Sequence, residues 1–267
     1  MQKYIHVIGI GIQNNLTYRV NYLARTLFSF IPLFAMLSLW RTIYGGPGGQ
    51  LSTIYTLPQM ISYYLLVAVV DVLTAVNEDD WQIAADIRDG NINHFLLKPM
   101  DYLRYRLCLF FAGRIAFIAV AVLPLAVFIF CLRINFVAPA DVTALIAFPI
   151  TLVLTALLQF FMSFALAMLA FWMLEISTVI FIVFALEYVA SGHLFPLDIL
   201  PPALDRLLYC KPFPYQLYFP ISVYMGKATG PDLWRGLGMQ LFWVAAMYAL
   251  ARWMWSRGIK KYSAYGG

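Results

Sequence analysis

The stretch from Leu107 to Cys131 carries a single charged residue, Arg114, and five other runs in the chain are similarly poor in charge. They cover about Leu23 to Tyr44, Leu57 to Val76, Val142 to Leu174, Ile176 to Ala190 and Leu233 to Trp255. Crossing bilayer hydrocarbon takes about 20 mostly apolar helical residues, because each adds about 1.5 Å toward a core about 30 Å thick. Six such helices use roughly half of this chain and leave only short connections. Only 12% of the residues are charged, against about 25% in a soluble domain, which leaves too little polar surface for a water-exposed fold. The expected fold is an all-α polytopic membrane protein with six transmembrane helices in a single domain over residues 1–267.

The formal charge of +5 does not require nucleic acid as a partner, because membrane proteins concentrate Lys and Arg in cytoplasmic loops whatever they bind. With both termini in the cytoplasm, only Arg41, Arg133, Arg206, Lys211, Lys227 and Arg235 of the 18 basic residues fall outside. The tail over residues 252–267 keeps Arg257, Lys260 and Lys261 inside. Cys108, Cys131 and Cys210 show neither zinc spacing nor a disulfide framework, and His6 and His94 lie in separate segments, so no metal site is expected.

The connections are more informative than the spans. In residues 1–22, Ile5, Ile8, Ile12 and Leu16 recur at helical spacing while Gln13, Asn14 and Arg19 form a wetter side, the pattern of an interfacial elbow helix. Gly45-Gly46-Pro47-Gly48-Gly49 is rich in glycine, but no strand precedes it and no Lys-Ser or Lys-Thr follows; it is a turn and not a phosphate-binding loop. In residues 192–231, Pro196, Pro201, Pro202, Pro212, Pro214 and Pro220 forbid one spanning helix. The apolar residues among them predict short helices at, or dipping into, the external interface.

The loop over residues 77–106 predicts a cytoplasmic helix of about three turns. Asn77 is its N-cap, Glu78, Asp79 and Asp80 complement the helix dipole, and Gly90 ends it. Trp81, Ala84 and Ala85 fall along one side. A connector and a docking helix fit this composition equally well.

Charges inside spans are costly, at least about 2.5–3.5 kcal/mol at the bilayer centre. Arg114 and Glu175 are near enough to a span end to snorkel to the interface. Asp71 and Glu187 are harder to dismiss; each faces either a pathway or interface, or an internal partner. Ser191 beside His193 suggests a hydrolase only superficially, since there is no G-x-S-x-G and no Asp is spaced to orient the histidine. A turn or gate role is expected there, and no catalytic residue.

Asp86-Ile87-Arg88-Asp89-Gly90, followed by Phe95-Leu96-Leu97-Lys98-Pro99-Met100-Asp101-Tyr102, resembles the cytoplasmic loop of ABC-2 type transporter permeases. Ser191-Gly192-His193-Leu194-Phe195-Pro196-Leu197-Asp198-Ile199-Leu200-Pro201, Lys211-Pro212-Phe213-Pro214, Arg257-Gly258-Ile259-Lys260-Lys261-Tyr262 and Tyr18-Arg19-Val20-Asn21 extend the resemblance over nearly the whole chain. It is closest to the small six-span branch without a large external domain. The resemblance implies half of an exporter in a bacterial cytoplasmic membrane, paired with an identical or sister permease. A pair of ATPase subunits would bind ATP and Mg, and this chain would bind no cofactor. Asp79, Trp81, Ile83, Asp86, Ile87, Arg88 and Gly90 would form a coupling helix. Ser191, Gly192, Phe195 and Pro196 would belong to an external re-entrant hairpin, with Asp71 and Glu187 as further pathway candidates. An ion-coupled secondary transporter using Asp71 and Glu187 is the alternative; an intramembrane enzyme lacks a catalytic constellation.

Overall fold

The computed structural model describes residues 2–46, 54–76, 79–132, 136–139, 141–173 and 175–262, without the side chains of Asp79 and Asp80. Pro47, Gly48, Gly49, Asn77, Glu78, Arg133 and Leu174 lie outside the described residues, as do residues 263–267 of the tail. Among the described residues every regular element is a helix: α1 Gln2–Thr17, α2 Arg19–Gly45, α3 Leu57–Thr74, α4 Asp79–Arg88, α5 Ile92–Leu96, α6 Tyr102–Cys131, α7 Val142–Ala167, α8 Ser177–Ala190, α9 Pro202–Tyr209, α10 Tyr218–Tyr224 and α11 Gly230–Lys261.

The sequence starts these helices by familiar means. Thr56 and Gln59 form a reciprocal capping box at α3, Asp101 accepts from the Arg104 N–H at α6, and Asp141 accepts from the Ala144 N–H at α7. Pro32, Pro124 and Pro149 stand inside α2, α6 and α7, positions that membrane helices tolerate when neighbours satisfy the freed carbonyls.

Among the described residues, four helices are long and apolar enough to cross a membrane: α2, α3, α6, and α7 with its 3-10 continuation to Phe171. The expected fifth span, α8, is apolar but has 14 residues, about 21 Å of helix. It stops at a turn in which Gly192 takes φ +101°, a conformation that favours glycine. The expected sixth, α11, has 32 residues but is more polar. Part of the reason is Gln240, buried in its apolar stretch, whose amide donates to the Thr151 and Tyr215 carbonyls and to Thr155 Oγ1 at 3.0–3.1 Å.

Helix α7 is the hub, packed against α3, α4, α10 and α11. The proline-rich segment is not all interfacial. Leu217, Tyr218, Phe219, Ile221 and Val223 are buried where α10 packs on α3 and α7. The polar backbone around Tyr215 and Gln216 explains how: Thr155 and Gln159 of α7 donate to those two carbonyls at 3.1 and 3.4 Å, so the broken segment enters the bundle with acceptors satisfied. Helix α11 closes over it at Gly236, where a Cβ would lie 2.0 Å from the Phe219 ring. Helix α9, with Leu204 and Leu207 exposed, is the surface part of the segment.

Helix α1 runs beside the first turns of α6 in the same direction. The Asp101 N–H donates to Tyr4 Oη at 3.3 Å, and Gly11 approaches so closely that a Cβ would meet Ala112 Cβ at 2.7 Å. Helix α2 continues along α6, pairing Tyr22 with Phe117 and Phe30 with Phe128. The packed side of α1 holds Tyr4, Ile8, Gly11, Ile12 and Asn15, whereas Ile5 and Leu16 of the expected stripe are exposed. The close approach at Gly11 selects this face over the one with more apolar residues.

Candidate functional site

Two regions combine charged side chains with helix ends. The first surrounds α4. Ile83 and Ile87 are buried where α4 packs on α7 and the 3-10 turn at Met168–Phe171. On the neighbouring side, Asp86 Oδ2 accepts from Arg106 Nη2 at 2.6 Å and from Tyr102 Oη at 3.0 Å, while Arg106 Nε donates to Tyr102 Oη at 3.1 Å. Arg106 is only 6% exposed, and a cation held so far from water needs this carboxylate. The Tyr102 ring stacks on Trp255 at 4.9 Å, and Arg252 donates to Asp101 at 2.5 Å, so α4, α6 and α11 form one connected cluster.

Outside the bundle Asp101 caps α6. Burial opposes its charge, but hydrogen bonds from the Arg104 N–H and Arg252 hold its carboxyl below the usual value. Glu175, in the turn before α8, is likewise held low by hydrogen bonds from Ser177, with the positive charge of Arg88 adding to the effect. Gly90 ends the α4 region at φ +79°.

The structure therefore divides the residues expected to couple to a partner. Ile83 and Ile87 point into the protein, Asp86 serves Arg106, and Ala84 is buried rather than sharing a free side with Trp81. Among the described side chains, Trp81, Gln82 and Arg88 of α4, and Asp89 just after it, are exposed. For Asp79 the helix is described and the side chain is not.

The second region lies where the turn after α8 meets α3. His193 Nε2 is 3.2 Å from Asp71 Oδ1, and His193 Nδ1 is 2.7 Å from Ser191 Oγ. The Tyr188 ring stacks on the imidazole at 4.9 Å. Tyr63 Oη donates to the Gly192 carbonyl at 2.6 Å, Tyr64 Oη donates to the Leu194 carbonyl, and the Tyr218 N–H donates to the Ser191 carbonyl at 3.0 Å. Gly192 has no room for a side chain, since a Cβ would lie 2.6 Å from Tyr63 Oη. Pro196 is buried beside the turn and Phe195 is half-buried.

Asp71 and His193 line both a cavity of about 320 Å³ bounded by α2, α3 and α6, and another of about 370 Å³ that also includes Glu187. Their contact forms part of the wall between the two spaces. Sequence spacing did not anticipate this, because the carboxylate facing His193 comes from a helix 122 residues away. The resulting Ser-His-Asp order resembles a hydrolase triad only in composition: Ser191 is fully buried, with no approach to its hydroxyl for a substrate. What the arrangement can do is hold the turn against α3 by a charge-assisted contact and release it when that contact breaks.

Farther along the same segment, Lys227 donates to Asp198 at 2.5 Å and lies 3.1 Å from the centre of the Tyr55 ring. Burial pushes the Lys227 ammonium below its ordinary value, although Asp198 opposes the shift. This pair ties the chain before α9 to the chain before α11.

Compared with known proteins, the chain matches no curated sequence. A family model described as "ABC-2 family transporter protein" matches residues 30–266.

Proposed function

This chain belongs to the ABC-2 family of transporter proteins, and from that premise we propose that it is the membrane half of an exporter driven by a separate ATPase. As a permease of that family it is a multi-pass membrane transport component. The proposal adds six crossings, with α8 and α11 joining the four longer apolar spans, both termini in the cytoplasm of a bacterial cell, and a re-entrant segment formed by the turn after α8 together with α10. Two halves, copies or sisters, enclose the pathway. Two ATPase subunits hold ATP and Mg.

One observation carries the coupling: α4 is anchored firmly on one side and presents polar and aromatic side chains on the other. Ile83 and Ile87 fasten it to the hub, and the Asp86–Arg106–Tyr102 cluster fastens it to α6. Gln82, Arg88 and Asp89, exposed on the other side, are the residues offered to the ATPase. A push on that surface reaches α7 directly. It reaches α10 because α10 packs on α7, and the turn beyond α8 because the Tyr218 N–H bonds to the Ser191 carbonyl. Nucleotide binding shifts the gate only by the difference in free energy it contributes to the two states.

The test is co-expression with a P-loop ATPase of the ABC class from the same cell. The wild-type pair should copurify, and Arg88→Glu with Asp89→Lys should abolish the complex while the permease still inserts. Unchanged association and unchanged substrate-stimulated ATP hydrolysis in that double variant would refute a docking role for α4. The alternative, an ion-coupled carrier, draws on a cavity shared by Asp71, Glu187 and His193. It requires transport by vesicles that have an ion gradient and no nucleotide.

A further inference from the structure

The turn after α8 is fastened to α3 by two kinds of bond, and one of them can gain or lose a proton. Tyr63 Oη holds the Gly192 carbonyl at 2.6 Å, and a tyrosine hydroxyl, which ordinarily titrates near about 10, keeps its proton at physiological pH. The imidazole of His193 is different, because its ordinary value of about 6.5 lies within the physiological range. Both ring nitrogens are engaged: Nε2 lies 3.2 Å from Asp71 Oδ1, and Nδ1 lies 2.7 Å from Ser191 Oγ.

A carboxylate only accepts, so Nε2 carries a proton in either charge state of the ring. In the neutral ring the Ser191 hydroxyl donates to Nδ1. In the charged ring Nδ1 donates to Ser191 Oγ, and only the hydroxyl hydrogen has to turn. The ring can therefore take up a proton with no displacement of the chain, still stacked on Tyr188. What changes is the contact with Asp71, which becomes an ion pair and so strengthens. Asp71 is 38% exposed, and both residues border the two cavities, so the pair is open to proton exchange.

The other charged groups nearby leave the sign of this effect intact. Glu187 of α8 shares the second cavity and, as an acid, favours the charged ring. Arg25 of α2 and Arg114 of α6 border the first cavity; they shift the pH at which the ring charges, not the direction of its pull on Asp71. Tyr64 of α3 and Tyr218 of α10, which also hold the turn, are neutral in this range.

We infer that the turn after α8 is a proton-operated latch: a proton on His193 clamps it to α3 through Asp71, and loss of that proton loosens it. The closed turn keeps the imidazole beside a carboxylate and the open turn does not, so closure binds the proton more tightly. Closure is then favoured at mildly acidic pH, and opening increases as pH rises through the histidine range. Below the ordinary aspartate range the carboxylate is neutralised and the clamp is lost again. As a local latch it needs no ATPase; its use as the gate of a transport pathway rests on the function proposed above.

Two measurements on the full-length chain in a neutral detergent test it. The imidazole signals, followed by NMR against pH and assigned with His6→Gln and His94→Gln, give the midpoint of His193. Asp71→Asn should lower that midpoint by about one pH unit, the effect of removing an adjacent opposite charge. Amide hydrogen exchange over residues 191–195, divided by the intrinsic rate at each pH, gives the opening of the turn. In the wild type this opening should be about fivefold greater at pH 8 than at pH 6, as one unit of midpoint difference implies, and nearly flat in Asp71→Asn. Tyr63→Phe should raise opening at every pH alike, because it removes a bond that does not titrate; this separates the latch from general loosening. A His193 midpoint indifferent to Asp71→Asn would overturn the inference, as would wild-type opening that does not change with pH. Neither measurement uses nucleotide or an ATPase, so failure here is distinct from failure of the coupling proposal.

Discussion

The cytoplasmic cluster at α4 and the contact between α3 and the turn after α8 both pair an acid with a base, yet they are built to different strengths. Asp86 is held at 2.6 Å by a buried arginine and at 3.0 Å by a tyrosine that itself stacks on Trp255. Asp71 meets one imidazole at 3.2 Å, with cavities of about 320 and 370 Å³ bordering the pair. Packed surroundings transmit a displacement, and poorly filled ones absorb it as local opening. The contrast assigns the first region to carrying force and the second to yielding under it.

The largest effect should come from the strong end. Asp86→Ala leaves the buried Arg106 without its carboxylate, and the cost should be about 2–3 kcal/mol. That is below the 3–5 kcal/mol typical of fully buried pairs, because Asp86 is 34% exposed. Urea unfolding in detergent measures it. The double variant with Arg106→Met should recover part of the loss, since no buried cation deprived of its carboxylate then remains. Additive losses in the double variant would mean that the pair is not the connection described here.

At the other end, Gly192→Ala should cost between about 1 and 2 kcal/mol, because φ is +101° and the new Cβ would press on Tyr63 Oη. The turn should then stand off α3, and vesicles containing the variant should leak a small fluorescent solute. A smaller loss of stability, under about 1 kcal/mol, is expected for Asp71→Asn, which keeps the shape and removes the charge. Leakage comparable to that of Gly192→Ala would place the closing force in the Asp71–His193 contact; leakage in the glycine variant alone would place it in the Tyr63–Gly192 packing.

These two regions were unequally legible in the sequence. Local rules suffice for α4, where an acidic first turn and Gly90 bound a short helix, so the element was readable from its own residues. Its anchored face was not, because Ile83 and Ile87 find their partners on α7, far along the chain. Asp71 and Glu187 stood out as charges in apolar runs, and the structure lines one cavity with both. His193 was visible only as a neighbour of Ser191, since the approach of α3 is a product of tertiary packing. The same limit applies to the proline-rich segment. Its prolines excluded a spanning helix, but its burial depends on Thr155, Gln159 and Gln240 meeting the backbone at Tyr215 and Gln216. A satisfied backbone can enter a bundle; hydropathy does not record which carbonyls are satisfied.

Within the strong cluster itself, one pair should prove weak. Arg252 and Asp101 are 2.5 Å apart, but their side chains are 41% and 27% exposed, so screening should limit the bond to about 0.5 kcal/mol. Its pH dependence follows from the lowered carboxyl of Asp101, where hydrogen bonds from Arg104 and Arg252 outweigh the burial that favours the neutral acid. A group whose folded value is depressed contributes fully above its unfolded value, and the contribution is lost as pH falls through the folded one. Arg252→Leu should therefore lower stability slightly at neutral pH, and the difference from wild type should vanish in acid below the ordinary aspartate range. Salt should shrink it as well, whereas the Asp86→Ala deficit should persist in salt because Arg106 is buried. Thermal melts of both variants at neutral and acidic pH, with and without added salt, separate the two kinds of ion pair. Equal salt sensitivity would mean that the Asp86–Arg106 contact is as wet as its neighbour, and α4 would then lack the firm anchor on which coupling depends.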